Sequence, residues 1–188
     1  MKLALIGTHG VGKTTLCYDL AAQLKKRNAD VELVREVARR CPLPINEGTT
    51  AAAQAWILHT QICEEIVAAS NSPVVLCDRS ALDNYCYMVH AGGASKAWDA
   101  LLDDWLVTYD LLIHIPIIER PSYDGIRAVD PHFQEQIQLL LDGMIAARGL
   151  RPLRLNADER EEWCPRILDI VLPELQPTLP LFPTDEAG

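Results

Sequence analysis

Basic residues are scarce in this chain: 17 Lys and Arg stand against 26 Asp and Glu, for a formal net charge of −9. A nucleic-acid track needs a cation for each phosphate it meets, so this balance argues against a nucleic-acid partner and leaves room only for a local basic pocket. No apolar run approaches the about 20 residues of a membrane-spanning helix. The chain opens on a strand-like pattern with no secretory leader ahead of it. Internal repeats are missing. The six cysteines (Cys17, Cys41, Cys63, Cys77, Cys86 and Cys164) include no C-x-x-C pair and mostly fall within apolar patterns. They read as reduced core thiols, and the expected location is the cytoplasm.

What is present is an ordinary globular composition, 49% hydrophobic and 23% charged over 188 residues, enough for one domain with a substantial core. Five short apolar runs read as buried strands: 2–6, 31–35, 74–77, 111–115 and 151–155. Helix-like patterns lie near 13–27, 50–69, 80–91, 96–108 and 131–148, with a last one near 158–171. Strands alternating with helices predict a three-layer α/β fold around a parallel sheet. The domain is expected over 1–172, with a Pro- and acid-rich tail over 173–188 that forms no regular structure.

The stretch Gly7-Thr8-His9-Gly10-Val11-Gly12-Lys13-Thr14 fits G-x-x-x-x-G-K-[ST] at every fixed position, after a strand and before a helix. Glycines let successive backbone N–H groups turn inward on phosphate oxygens, and the following helix adds the positive end of its dipole. Lys13 would reach the outer phosphates of a nucleoside triphosphate, and the Thr14 hydroxyl would help hold Mg²⁺. Thr8, His9, Gly10, Val11, Gly12 and Thr15 complete the nucleotide-binding set. His9 reads as a loop-filling side chain rather than a catalyst.

Farther on, the apolar run 74–77 leads directly into Asp78-Arg79-Ser80. An acid at the carboxyl end of a neighbouring strand would face the phosphates and hold the metal, directly or through water. Arg79 beside it can neutralise charge on a transferring phosphoryl group. Ser80 followed by Asp83 predicts a cap that opens the next helix.

With these segments in view, the sequence resembles the P-loop nucleoside and nucleotide kinases. There, an acid-Arg pair ends a strand as Asp78-Arg79 does, and an acid after the second strand faces the acceptor hydroxyl, the position of Glu36. The layout is most similar to the AAA-like ATPase/kinase family that includes the ribosylnicotinamide kinase domain, on the strength of Glu36-Val37-Ala38-Arg39, Asp78-Arg79-Ser80 and Asp124-Gly125-Ile126-Arg127, taken in order. The resemblance covers about residues 1–157 and implies a five-stranded sheet in the order 2-3-1-4-5. It further implies a short lid over 117–131 that brings Arg127 to the phosphates, with Arg120 a second candidate. The adenine edge would pass Asn156-Ala157. Val37 stands where thymidylate kinases carry a proline, which speaks against a monophosphate acceptor. The absence of an N-K-x-D segment speaks against a small GTPase.

The segment 50–69 carries two stripes, one of Ala52, Ala55, Trp56, His59, Cys63 and Ile66, the other of Gln54, Leu58, Gln61 and Glu65. In the related kinases this helix walls the substrate cleft, which makes Gln54 and Gln61 candidates for reading a base. Trp56 is expected in the core, and the histidines show no metal-ligand spacing. The expected activity is ATP- and Mg²⁺-dependent transfer of the γ-phosphate to a hydroxyl of a small nucleoside or riboside, with Lys13, Glu36, Asp78, Arg79 and Arg127 as the catalytic set. Glu36, Gln54, Gln61 and Asp78 would bind the acceptor, and Thr14 and Asp78 the metal. A homodimer is compatible with this layout. The alternatives are a nucleotide-dependent switch or adaptor without a metabolite acceptor, and a kinase of nucleotides or of a modified base in DNA.

Overall fold

The computed structural model describes residues 1–118 and 131–175. The expected lid, with Arg120 and Arg127, lies almost wholly outside the described residues, as does most of the tail.

Side-chain alternation along the first strand sets the layering. In β1 (Lys2–Ile6), Leu3 and Leu5 join one core and Ala4 and Ile6 join another, as the twofold period of an extended chain requires. The first core is closed by α1 (Lys13–Lys25) and α6 (Trp163–Glu174), through Leu16, Leu20, Ile167 and Val171. The second is closed by α2 (Ala51–Asn71), α3 (Ala81–His90), α4 (Lys96–Leu106) and α5 (Pro131–Ala147), through Leu58, Leu82, Leu102 and Ile137. Between the layers runs the sheet, completed by β2 (Val31–Val34), β3 (Val74–Asp78), β4 (Leu111–His114) and β5 (Leu153–Arg154). All pairings are parallel and the order is β2-β3-β1-β4-β5, as expected.

This order fixes the place of the site. The chain leaves β1 toward β2 on one side and leaves β3 toward β4 on the other, so a crevice opens at the carboxyl ends of β1 and β3. Register pairs Leu5 with Asp78, which sets the strand-end acid beside the residue that precedes the glycine loop by two positions.

Some boundaries differ from the sequence reading. β2 stops at Val34, and Arg35-Glu36 leads out of the sheet into a 3₁₀ turn over Val37–Arg40. β5, an edge strand paired with β4 alone, keeps only two residues. The final helix divides into a 3₁₀ segment, Ala157–Glu162, and α6; Glu159 breaks the helical path with φ −113° and ψ 35°. Trp56 is half-buried and outside both cores, a correction to its expected place. The buried stripe of α2 is the one that carries Gln54, Leu58, Gln61 and Glu65. All six cysteines are free; Cys17, Cys77 and Cys86 are buried, whereas Cys63 is exposed. Among the described residues, no helix is long and apolar enough to cross a membrane.

Gly7 is where the close approach of the loop to the sheet is decided. Its φ is +146°, and a Cβ there would lie 2.8 Å from the carbonyl oxygen of Ile115. Neither the angle nor the distance tolerates a side chain. Gly7→Ala is therefore expected to lower stability by roughly 2 to 4 kcal/mol in denaturant unfolding. A change below about 0.5 kcal/mol would contradict this packing.

Candidate active site

The glycine loop closes on itself around Lys13. Gly12, with φ +89°, caps α1 without any side-chain hydrogen bond, which leaves the first amides of the helix pointing at the crevice. The Lys13 ammonium folds back and donates to the carbonyls of Gly7 (2.6 Å) and Thr8 (2.5 Å). Burial, and then the positive charge of Arg79, bring its amine down to about 8. Two side chains from the α-helical layer clamp the loop. Asp83 accepts from Gly7 N–H at 2.8 Å, and the Gln134 amide donates to His9 O at 2.8 Å. Asp83 also accepts from the Ser80 N–H and hydroxyl, completing the expected capping box and tying the glycine loop to the turn after β3.

That turn brings the two strand-end acids to different neighbours. Asp78 accepts from the Thr14 hydroxyl at 2.6 Å, and burial lifts its carboxyl above the usual range against the pull of Thr14 and Lys13. Thr14 and Asp78 therefore form a pair of hard oxygen donors, the donor set that suits Mg²⁺ completed by phosphates and water. Among the described residues, no group of three or more His, Cys, Asp or Glu side chains could hold a metal.

Glu36 meets cations instead. It receives Arg79 Nε and Arg39 Nε, each at 2.8 Å. Burial alone would raise its carboxyl, but Arg79, Lys13 and Arg39 outweigh that and hold it at about 2. Arg79 is itself buried, takes φ +111° on a non-glycine backbone, and lays its guanidinium 5.1 Å from the centre of the Tyr87 ring. Its Nη1 is buried and makes no hydrogen bond among the described residues.

Beside the glycine loop, these side chains bound a cavity that Glu36, Arg79, Gln54, Asn84 and Tyr87 line, with His9 contributed by the loop. The structure thus brings together Lys13, Thr14, Glu36, Asp78, Arg79 and Gln54. Gln54 donates to Thr49 Oγ1 at 2.7 Å within the cavity wall. Gln61 lies elsewhere: its amide nitrogen donates to Glu65 Oε1 (2.9 Å) and to the carbonyl of Arg79 (3.2 Å), behind the turn. Thr15 opens onto a separate cleft beside Gly12 that Arg160 and Trp163 line. Asn156 accepts from Asp158 N–H and, through its carbonyl, from Trp163 Nε1 at 2.7 Å, starting with Ala157 the 3₁₀ segment that borders this cleft. Val11 is packed in the core beneath the loop.

The sequence reading missed Asn84, Tyr87 and Gln134. Asn84 is buried in the cavity wall with its Nδ2 unpartnered among the described residues, and Tyr87 OH sits 3.1 Å from His9 Nδ1. Asn84 and Tyr87 share one face of α3, being three apart, and that spacing after Asp78-Arg79-Ser80 was the available signal. Gln134 had none, because its partner is 125 positions away.

The Glu36 pair has a measurable consequence. A carboxylate at about 2 against an ordinary 4.5 contributes stability that is complete above about pH 4.5 and fades as pH falls toward 2. Glu36→Gln is expected to cost roughly 3 kcal/mol at neutral pH, because it also leaves Arg79 without its counter-charge. The gap to the parent protein should close as pH falls through that window in unfolding titrations. A gap independent of pH would refute the assignment.

No curated protein sequence matches the chain. Among solved structures, it is similar to deoxyadenosine kinase from M. mycoides with the products dCMP and a flexible dCDP bound (TM-score 0.61, 16% identity, 93% of this chain and 98% of that one). It is also similar to the same kinase with bound dATP (TM-score 0.64, 16% identity, 92% and 99%). These likenesses establish the fold, the five-stranded P-loop kinase architecture inferred from the sequence. The family model described as an AAA domain matches residues 2–162, and the chain belongs to that family of P-loop proteins.

Proposed function

We propose that this protein is a kinase that transfers the γ-phosphate of ATP, with Mg²⁺, to a hydroxyl of a small nucleoside or riboside. The observation that carries the reading is the junction of two compartments. A phosphate loop with Lys13 and the Thr14–Asp78 pair opens beside a second cavity, and Arg79 and Glu36 stand between them. A switch protein has no need of the second compartment.

In this scheme Lys13 leaves its loop carbonyls for the outer phosphate oxygens, and the open amides of α1 receive the rest of the chain of phosphates. Mg²⁺, when bound, neutralises charge shared between those phosphates, with Thr14 and Asp78 as its protein ligands. Glu36 faces the acceptor. A carboxylate held this acidic is a weak base, so its task is to accept the acceptor's O–H and aim the oxygen, with the proton leaving late in a loose transition state. Arg79 turns its unpartnered Nη1 toward the phosphoryl group in flight. Arg127, outside the described residues, would join it from the lid. The adenine would lie along the cleft between Thr15 and the segment that begins at Asn156-Ala157.

The amides of the cavity wall support an uncharged acceptor. Gln54 and Asn84 offer neutral amides to a base. Of the three arginines after β2, Arg39 is engaged by Glu36, while Arg40 pairs with Glu64 and shares with Arg35 a groove on the outer surface. Among the described residues, the two arginines that line the cavity, Arg39 and Arg79, both already meet the carboxylate of Glu36. Solved relatives in fold are deoxyadenosine kinase, which supports a nucleoside acceptor. Free thiols support a reducing, cytoplasmic location.

ADP release with matched nucleosides, 5′-monophosphates and oligonucleotides should show turnover with nucleosides or ribosides. A preference of more than tenfold in kcat/KM for monophosphates would replace the acceptor class, and turnover without any acceptor would favour the switch reading. A second expectation concerns Lys13. With its amine at about 8 in the free protein, phosphate binding must draw in a proton above that pH. ATP affinity should fall by up to about tenfold per pH unit above 8 in calorimetric titrations. Lys13→Met should bind weakly with a flat profile, and a parent profile equally flat would exclude Lys13 from the phosphate site.

A further inference from the structure

Behind the Arg79 turn, on the side away from the cavity, lies a buried carboxylate that the catalytic scheme does not use. Glu65 has no exposed surface, yet four donors converge on it: Lys2 Nζ (2.9 Å) and Trp105 Nε1 (2.8 Å) on Oε2, Tyr109 OH (2.8 Å) and Gln61 Nε2 (2.9 Å) on Oε1. The Lys2 ammonium also lies 4.3 Å from the Trp105 ring centre and 4.6 Å from that of Tyr109, so its charge is shared among the carboxylate and two aromatic faces. A single buried ion pair would be a weak reason for stability. This one has a second row of contacts. Gln61 passes its other amide hydrogen to the carbonyl of Arg79 at 3.2 Å, and the Tyr109 hydroxyl accepts the N–H of Ala81 at 2.9 Å.

We propose that Glu65 sets the geometry of the phosphoryl-transfer turn, acting through Gln61 and Tyr109 as positioning residues. The inference rests on the kinase reading for its catalytic consequence. Its logic is one of fixed directions. With an acceptor on either side, the Gln61 amide can present only its NH₂ to both, so Glu65 dictates which end faces Arg79. With its proton committed to Glu65, the Tyr109 hydroxyl offers only lone pairs to Ala81, the first residue of α3, whose N–H has no partner within the helix. The two contacts hold the backbone on both sides of Ser80. The first of them grips Arg79 itself, which stands at φ +111°, an angle that a side-chain-bearing residue retains only where its surroundings impose it. The guanidinium that meets Glu36 is therefore aimed from behind, by a network that touches neither nucleotide nor acceptor.

Gln61→Met and Tyr109→Phe test this without removing Glu65 or Lys2. Methionine keeps the length of glutamine and also removes its Oε1, an acceptor buried without a partner among the described residues, so the fold should lose little. Three results are expected. The kcat of Gln61→Met should fall at least tenfold, by the same factor for every acceptor accepted by the parent, while the KM for ATP moves less than twofold. Amide hydrogen exchange over residues 79–82 should speed at least tenfold in both variants, while β1 and β4 exchange as in the parent. The midpoint of thermal unfolding of Gln61→Met should stay within a few degrees. Unchanged kcat and unchanged exchange at the turn would overturn the proposal, and so would a loss confined to one acceptor base, which would make Gln61 a direct reader. Should the parent phosphorylate no acceptor, the kinase reading falls by itself. The exchange comparison then still decides the network: faster exchange at the turn upholds it and unchanged exchange overturns it.

Discussion

A buried guanidinium on a strained backbone is the constraint around which the crevice is built. Arg79 cannot be withdrawn from solvent without a counter-charge, and Glu36 supplies it; the same contact fixes where the chain goes after β2. Its field reaches further. Arg79 lowers the amine of Lys13, strengthens the acidity of Glu36, and finds in Tyr87 an aromatic face that costs no additional charge. In the proposed scheme the cations of the crevice are thus already in place: Lys13 rests on carbonyls that a phosphate would replace, and Arg79 keeps Glu36 through Nε with Nη1 to spare. Little reorganisation is then required when charge arrives, the condition under which fixed dipoles and charges act most strongly on a reaction.

The two cores contribute unequally to this arrangement. The layer of α1 and α6 provides the floor of the glycine loop and the open helix end. Both side-chain clamps on the loop come from the other layer, Asp83 from α3 and Gln134 from α5, and so does Gln61 of α2, which holds the turn after β3. In the proposed scheme, the helix end that would receive phosphate and the groups that hold the two turns are therefore carried by different faces of one sheet.

What could be read in the sequence was what local backbone chemistry demands. The glycine loop, its strand-before and helix-after context, the strand-end acids and the Ser80–Asp83 cap are all contiguous, and each matches a requirement of a few neighbouring residues. Strand order needed the family resemblance. Gln54 and Gln61 could not be told apart, because they share one stripe of α2 two turns apart; the step of seven residues from one to the other amounts to about 10 Å along the axis. That length carries the side chain from the cavity wall to the region behind the turn. Trp56 was misplaced because a large apolar ring suggests burial, whereas the phase of the helix, set by Leu58, Gln61 and Glu65, turns it half outward. Glu65 itself looked like an ordinary member of a polar stripe. Nothing near it in the chain announces Lys2, Trp105 and Tyr109, which reach it from β1, from the end of α4 and from the connection between α4 and β4.

The brevity of the outer strands bears on how copies of this chain can meet. β2 offers four residues and β5 two at the two margins of the sheet, with Glu32 and Arg154 exposed along them. An extended segment from a neighbour would find too few free amides and carbonyls in line to continue the ladder, and a charge standing at each margin. Among the described residues, both margins thus disfavour sheet extension as a route to self-association, which leaves side chains rather than backbone to choose a partner.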